Sequence, residues 1–165
     1  MNVLTRQNDT LSSFGVPAAI GKPPRRRRSS VTATVLGDNF DRATREHHDA
    51  LAAIADSIYR KGLMPLTPGT GMPLYDLAVD TGELKYVIEV KSIVPGENET
   101  EQVRLGVGQV LHYIGIMATG SGIPPKSFAP IVATSQPASN EIVAAYKQHG
   151  IVICHPGNIH RFIKK

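Results

Sequence analysis

The chain has 165 residues, of which 41% are hydrophobic, and this is enough for one domain with a buried core. Its single cysteine, Cys154, excludes an internal disulfide and a cysteine-rich zinc site. Residues 1–15 do not resemble a secretory signal, and no run reaches the roughly 18 apolar residues that a membrane span needs. We therefore expect a soluble cytoplasmic protein with no membrane partner.

The net charge of +4 is unevenly distributed along the chain. Residues 1–30 hold six basic residues against one acidic residue, a net charge of +5, whereas residues 31–165 hold 12 basic and 13 acidic residues, a net charge of −1. We predict a flexible basic arm over residues 1–30 and one domain over residues 31–165. The arm carries an arginine run, Arg25, Arg26, Arg27 and Arg28. Such a run fits contact with nucleic-acid phosphates, and a solubilising tail or a localisation signal is the alternative.

The first predicted element of the domain is a helix from Asp41 to Lys61. Asp38, Asn39 or Asp41 can cap its start, and Gly62 ends it. Its apolar stripe consists of Ala50, Leu51, Ile54, Ala55 and Ile58. A short apolar run over residues 63–66 follows as a first strand, and Pro65 would confine that strand to a sheet edge.

Alternating sequence patterns predict the remaining elements. Residues 75–79 and 84–91 alternate as two strands, with a turn over residues 80–83 between them. A helix over residues 97–117, a strand over 129–133, a helix over 139–148 and a strand over 151–154 follow, and the last three form a parallel crossover unit. The order α-β-β-β-α-β-α-β predicts an α/β fold with a mixed sheet and helices on its faces.

The predicted hairpin separates two kinds of residue. With a two-residue turn at Thr81-Gly82, one face is wholly apolar or aromatic and the other carries the charged groups. On the charged face, Asp76 and Glu89 become diagonal neighbours, and Lys91 points the same way as Glu89. The alternative is a solvated face with scattered charges, which is how we interpret Asp80, Glu83 and Lys85 because they crowd the turn.

The spacing of these groups indicates metal chemistry. Two carboxylates whose side chains point toward each other can share one divalent cation. The Val90 backbone carbonyl lies between Glu89 and Lys91. Mg²⁺ prefers hard oxygen ligands of this kind, together with water and substrate phosphate. A water held by that cation near Lys91 would be a nucleophile for phosphorus.

Two segments carry a family resemblance: Tyr75-Asp76, followed by Ile88-Glu89-Val90-Lys91-Ser92, and the glutamine-containing helix over residues 102–113. Together they resemble the PD-(D/E)XK nuclease superfamily, whose restriction-endonuclease-like fold has an αβββαβ core, and the resemblance covers roughly residues 40–155. The sequence departs from the pattern in having Tyr75 where proline usually precedes the aspartate.

The resemblance implies a role for each matching residue. Asp76 and Glu89 would bind Mg²⁺, or Mn²⁺ in its place, with help from the Val90 carbonyl. Lys91 would activate the attacking water, Gln109 would support the site, and Glu46 matches a glutamate on the first helix of many members. Glu46 is equally well explained by a favourable charge near a helix N-terminus.

The implied activity is hydrolysis of phosphodiester bonds in DNA, with RNA as a further substrate to be tested and a homodimer as a possible assembly. The alternative is a non-catalytic nucleic-acid-binding or sensor module of a defence or restriction system that keeps the nuclease fold. His47 and His48 point about 100° apart on a helix and make a poor metal pair, and the other four histidines are spread out without zinc-ligand spacing. We therefore interpret all six histidines as surface or capping residues.

Overall fold

The computed structural model describes residues 14–19 and 34–164, and in the first helix it describes side chains from Thr44 onward. The elements in chain order are β1 (Val16–Pro17), α1 (Thr34–Arg60), β2 (Leu66–Thr67), β3 (Leu77–Asp80), β4 (Lys85–Lys91), α2 (Glu99–Ser121), β5 (Phe128–Thr134), α3 (Asn140–Lys147) and β6 (Val152–Cys154). Short 3₁₀ helices span Pro125–Ser127 and Ile159–Arg161.

These strands form one six-stranded sheet in the order β1-β2-β3-β4-β5-β6. Strands β1 to β4 pair antiparallel, and β4, β5 and β6 pair parallel. The predicted α/β class with a mixed sheet is therefore confirmed, as is the parallel pairing of the last two strands.

Helices cover both faces of the sheet, so its central strands are buried on two sides. Leu77 and Ile88 pack with the apolar stripe of α1 on one face. Ala78 and Val87 pack with α2 and α3 on the other face. This separation follows from the alternation of side chains along each strand.

Helix α1 is longer than the sequence pattern predicts. It begins at Thr34, so the predicted start at Asp41 is wrong and the cap candidates Asp38 and Asn39 lie inside the helix. A residue that can cap a helix marks a boundary only where the preceding chain leaves the helical path. The predicted end at Gly62 is confirmed, since Gly62 has a φ of 73° and its N–H donates to the Tyr59 carbonyl at 2.8 Å. The predicted stripe is also confirmed, with four of its members buried and Leu51 partly buried.

The register of the hairpin differs from the predicted one by two residues. Asp80 pairs with Lys85 and Ala78 with Val87, so the connection has four residues, 81–84, and the predicted two-residue turn is wrong. The Thr81 N–H donates to the Leu84 carbonyl, and the Thr81 hydroxyl accepts from the Leu84 N–H at 3.2 Å. A shift of two residues leaves the side chains of β3 and β4 on their predicted faces, because side chains alternate with a period of two. Tyr75, which precedes β3, packs with Ala78 and Val87, so its predicted place on the face of Leu77 is wrong.

Part of the predicted arm contributes to the sheet. Val16–Pro17 pairs with β2, so the strand at Leu66–Thr67 lies between β1 and β3 and is not an edge strand. Phe14 is buried, and its carbonyl accepts a hydrogen bond from the Tyr75 hydroxyl at 2.6 Å. The arginine run from Arg25 to Arg28 lies outside the described residues.

Helix α2 agrees with the predicted element apart from its ends. Asn98 occupies the residue before the helix, but its side chain accepts from the Val94 N–H at 2.8 Å instead of capping the first turn. Gly122, in the left-handed conformation, ends the helix four residues later than predicted. Within the ranges that the structure describes, no helix combines the length and the apolar character needed to cross a membrane.

Candidate active site

Asp76 and the end of β4 meet at one end of the sheet. Asp76 immediately precedes β3, and continuing the β3–β4 register places it across from Glu89. Its Oδ2 atom accepts a hydrogen bond from the Val90 N–H at 2.7 Å. This bond holds the carboxylate against the backbone between Glu89 and Lys91, so three of the residues predicted for the site are brought together.

Glu89 is the most buried charged residue of this cluster, with only 4% of its surface exposed. Its Oε1 atom accepts from Lys91 Nζ at 2.8 Å, whereas Oε2 has no hydrogen-bond partner among the described residues. Burial raises the pKa of Glu89 to about 6, and the negative charge of Asp76 adds to this effect. Lys91 and His47 act in the opposite direction, but burial outweighs them.

The Val90 carbonyl lies on the Asp76 side of β4. In a strand the N–H and the carbonyl of one residue point to the same edge, and the Val90 N–H points to Asp76. The next residue follows the alternation, because the Lys91 carbonyl accepts from the Ser135 N–H on the β5 side at 2.8 Å. The Asp76 carboxylate and the Val90 carbonyl therefore face the same side of β4.

His47 is a member of the cluster that the sequence interpretation missed. Its Nε2 atom lies 3.5 Å from Asp76 Oδ1, although His47 comes from helix α1. The contact with Asp76 raises the pKa of His47 against the opposing effect of burial, so the imidazolium form is favoured. The His47 side chain is 36% exposed, so it does lie at the surface, but the interpretation as a surface or capping residue did not include its contact with Asp76. Its spacing contained a signal, since Leu51 and Ile54 follow it at four and seven residues on the buried stripe.

Helix α2 covers the cluster from the other face of the sheet. Gly106 is buried and adjoins both Lys91 and Val132. One turn further along, the half-buried Gln109 side chain reaches the Tyr113 hydroxyl at 3.5 Å. The absence of a side chain at Gly106 permits close helix–sheet packing, whereas Gly108 has open space around it and plays no such part.

Glu46 immediately precedes His47 on α1. It lines a groove with Ser135 and Gln136, which follow β5. The charges that act on the pKa of Glu89 belong to Asp76, Lys91 and His47. The structure therefore places His47, one position further along the helix, against the carboxylate cluster.

Two other groups of residues stand apart from the cluster. Asp80 and Lys85 form an ion pair of 2.7 Å at the far end of the hairpin, away from the cluster. Their side chains are only 20% and 17% exposed, so the interpretation of these two residues as part of a solvated face is wrong. Cys154 is buried, and burial raises the pKa of its thiol to about 12, so a reactive thiolate is not available there.

Among the residues that the structure describes, no group of three or more His, Cys, Asp or Glu side chains is spaced to hold a metal ion. Any cation at this site would rely on fewer protein side chains and on backbone, water or substrate oxygens. Comparison of the chain with protein-family models, with curated proteins and with solved structures gave no significant match.

Proposed function

We propose that this protein is a divalent-metal-dependent nuclease that hydrolyses phosphodiester bonds in DNA. The observation that carries the proposal is the Glu89 carboxylate, which is buried beside a second carboxylate and keeps one oxygen without a partner in the described part of the chain. A buried, incompletely paired carboxylate costs stability, so its presence favours a functional role.

The residues present fit a hard divalent cation. Asp76, Glu89 and the Val90 carbonyl offer oxygen ligands, and Mg²⁺ in phosphoryl-transfer sites is typically held by one or two carboxylates together with water and substrate oxygens. A bound Mg²⁺ or Mn²⁺ would supply Lewis acidity toward a phosphate oxygen and lower the pKa of a coordinated water.

The chain's own groups supply the remaining chemistry. The ammonium of Lys91 lies 2.8 Å from Glu89 and can donate hydrogen bonds to an attacking water and to a phosphate oxygen. His47 contacts one oxygen of Asp76, and the Val90 N–H binds the other. Asp76 is thus oriented from two sides before substrate arrives, which favours reaction because less reorganisation is required.

The test is a cleavage assay with supercoiled, linear and single-stranded DNA and with single-stranded RNA, in Mg²⁺, in Mn²⁺ and in chelator. Asp76→Asn and Lys91→Met are expected to lower cleavage by at least about 100-fold, as the loss of one charge-stabilising group does in other enzymes. Asp80→Asn and Lys85→Met are matched controls, because they neutralise a second acid–base pair on the same hairpin. These two controls should retain cleavage within about twofold.

Each outcome has a definite meaning. If the wild-type protein leaves every substrate intact in both metals, the nuclease proposal fails, and binding without cleavage would favour the non-catalytic module. If cleavage persists in Asp76→Asn and Lys91→Met at the level of the controls, it does not come from this site. Cleavage of RNA alone would change the substrate and leave the site in place.

The arginine run is proposed to contribute phosphate contacts. Replacing Arg25 to Arg28 with alanine should reduce the slope of log Kd against log salt concentration by about 3.6 if all four contact phosphates, because each phosphate contact to duplex DNA contributes about 0.9. The measurement is a salt titration of DNA binding by the full chain in chelator, and an unchanged slope would contradict the contact.

A further inference from the structure

Gly106 on helix α2 adjoins Lys91 of the candidate active site. A methyl group built at this position would lie 2.8 Å from Val132 Cγ1 and 3.1 Å from Lys91 Cγ. Val132 pairs with Glu89 across β4 and β5, and Lys91 is the ion-pair partner of Glu89, so both neighbours of Gly106 adjoin Glu89. A side chain at this position therefore cannot be accommodated without movement of a neighbouring group.

The two neighbours differ in how readily they can move. Val132 is fully buried in the middle of the sheet, and its branched side chain has little rotamer freedom. Lys91 has a flexible four-carbon stem and lies at the end of β4, with 16% of its side chain exposed. The 2.8 Å contact with Val132 can be relieved only by a shift of Val132 or of the helix, whereas the 3.1 Å contact can be relieved by the Lys91 stem alone. Of the two neighbours the Lys91 stem is the more easily displaced, and a small displacement of the stem carries the ammonium away from Glu89 Oε1.

We propose that Gly106 is a positioning residue for Lys91: its missing side chain lets α2 hold the lysine stem in the conformation that directs the ammonium to Glu89. The consequence of this positioning for catalysis rests on the proposed nuclease function. The placement of Lys91 itself is a property of the folded protein and can be measured without substrate or metal.

The chain contains matched controls for both the glycine and the lysine. Gly108 lies on the same helix with open space around it, so Gly108→Ala makes the same chemical change without the contacts. Lys85 is 17% exposed and 2.7 Å from Asp80, which closely matches Lys91 at 16% exposure and 2.8 Å from Glu89. Faster chemical modification of Lys91 alone, with Lys85 unchanged, would therefore indicate a local displacement and not a general loosening of the fold.

The experiment measures acetylation rates of individual lysines in the folded, metal-free full chain by mass spectrometry. In Gly106→Ala, Lys91 should react about fivefold faster, the factor expected when an ion pair worth about 1 kcal/mol is lost. Lys85 should change by less than about twofold in the same variant, and Gly108→Ala should leave both lysines near their wild-type rates. The proposal is overturned if Lys91 keeps its wild-type rate in folded Gly106→Ala, or if Lys85 accelerates equally.

A variant that already carries Val132→Ala separates an effect of Gly106 on the position of Lys91 from an effect on packing against the sheet. Val132→Ala removes both γ-carbons that the new methyl group would meet, and it leaves the 3.1 Å contact with Lys91. In this background, Gly106→Ala should cost little thermal stability but should still accelerate Lys91 acetylation. If Lys91 instead reacts as slowly as in Val132→Ala alone, Gly106 acts only through packing against the sheet, and the proposal is wrong.

The activity assay adds a test that depends on the proposed function. Gly106→Ala should lower kcat by about 10- to 100-fold with a smaller change in KM, because a misplaced catalytic group slows reaction more than binding. If the wild-type protein cleaves no nucleic acid, the nuclease proposal fails while the acetylation comparison still decides the placement of Lys91. If kcat is unchanged although Lys91 becomes reactive, Gly106 does not act as a positioning residue for cleavage.

Discussion

Replacing Glu89 with glutamine should stabilise the metal-free protein at neutral pH while it abolishes nuclease activity. Glutamine has nearly the same shape and keeps an oxygen that can accept from Lys91, but it does not carry a charge into a site that is 4% exposed. The variant therefore removes the cost of burying a carboxylate and leaves most of the packing intact.

The magnitude follows from the pKa of Glu89, which is raised from 4.5 to about 6 in the folded protein. Each pKa unit corresponds to about 1.4 kcal/mol, so the ionised carboxylate lowers the free energy of unfolding by roughly 2 kcal/mol. Below pH 4.5, Glu89 is protonated in both states and the penalty is absent. Between pH 4.5 and 6 the folded state binds more protons than the unfolded state, so the stability falls as the pH rises.

The assay is urea unfolding of wild-type and Glu89→Gln protein in chelator at pH 4 and at pH 7.5. The stability of the variant relative to wild type should increase by roughly 2 kcal/mol between the two pH values. Glu83→Gln is the control, because Glu83 is exposed in the hairpin turn and its replacement removes no buried charge. A relative stability that does not change with pH, or that falls as pH rises, would refute this reasoning about Glu89.

Adding Mg²⁺ at pH 7.5 extends the same measurement. A ligand that binds only the folded state at 100 times its Kd stabilises that state by about 2.7 kcal/mol. Wild-type protein should gain stability from Mg²⁺, and Glu89→Gln should gain much less because one oxygen ligand has lost its charge. Equal gains in the two proteins would place the cation elsewhere.

Three further predictions concern groups around the site. In urea unfolding, His47→Asn should cost more stability at pH 5.5 than at pH 8.5. The pKa of His47 is raised in the folded protein, so the stabilisation from its pairing with Asp76 is complete below about pH 6.5 and is lost as the pH rises through the folded pKa. Equal costs at both pH values would contradict the pairing. Tyr75→Phe should lower the free energy of unfolding by about 1–2 kcal/mol, because it removes the buried hydrogen bond to the Phe14 carbonyl. Faster proteolysis within residues 1–19 should accompany this loss. Unaltered stability would show that this hydrogen bond does not stabilise the fold. Cys154 should resist a thiol reagent in the folded protein and react on unfolding in urea, because burial raises the pKa of its thiol to about 12. Rapid labelling of the folded protein would contradict this burial.

Local patterns were sufficient to predict most elements. The alternation over residues 75–79 and 84–91 predicted a hairpin with two distinct faces, and within β3 and β4 both faces have the predicted members. Tyr75, which precedes β3, is the exception, because it packs with Ala78 and Val87 and not with Leu77. The spacing of Ala50, Ile54 and Ile58 predicted the buried side of α1. Such features are predictable because a strand with period two or a helix with period 3.6 determines which side chains share a face, whatever the partner is.

The sequence by itself therefore determined the two faces of the hairpin and the placing of Asp76, Glu89 and Lys91 on one of them. The tertiary structure decided the register, because a shift of two residues leaves the alternation unchanged and only the bonds between Thr81 and Leu84 select the four-residue connection. It also decided that His47 reaches Asp76, that Phe14 binds Tyr75 and that Gly106 adjoins Lys91. These contacts join residues that are 29, 61 and 15 positions apart in the chain, and a local periodicity contains no information about which distant elements will pack together.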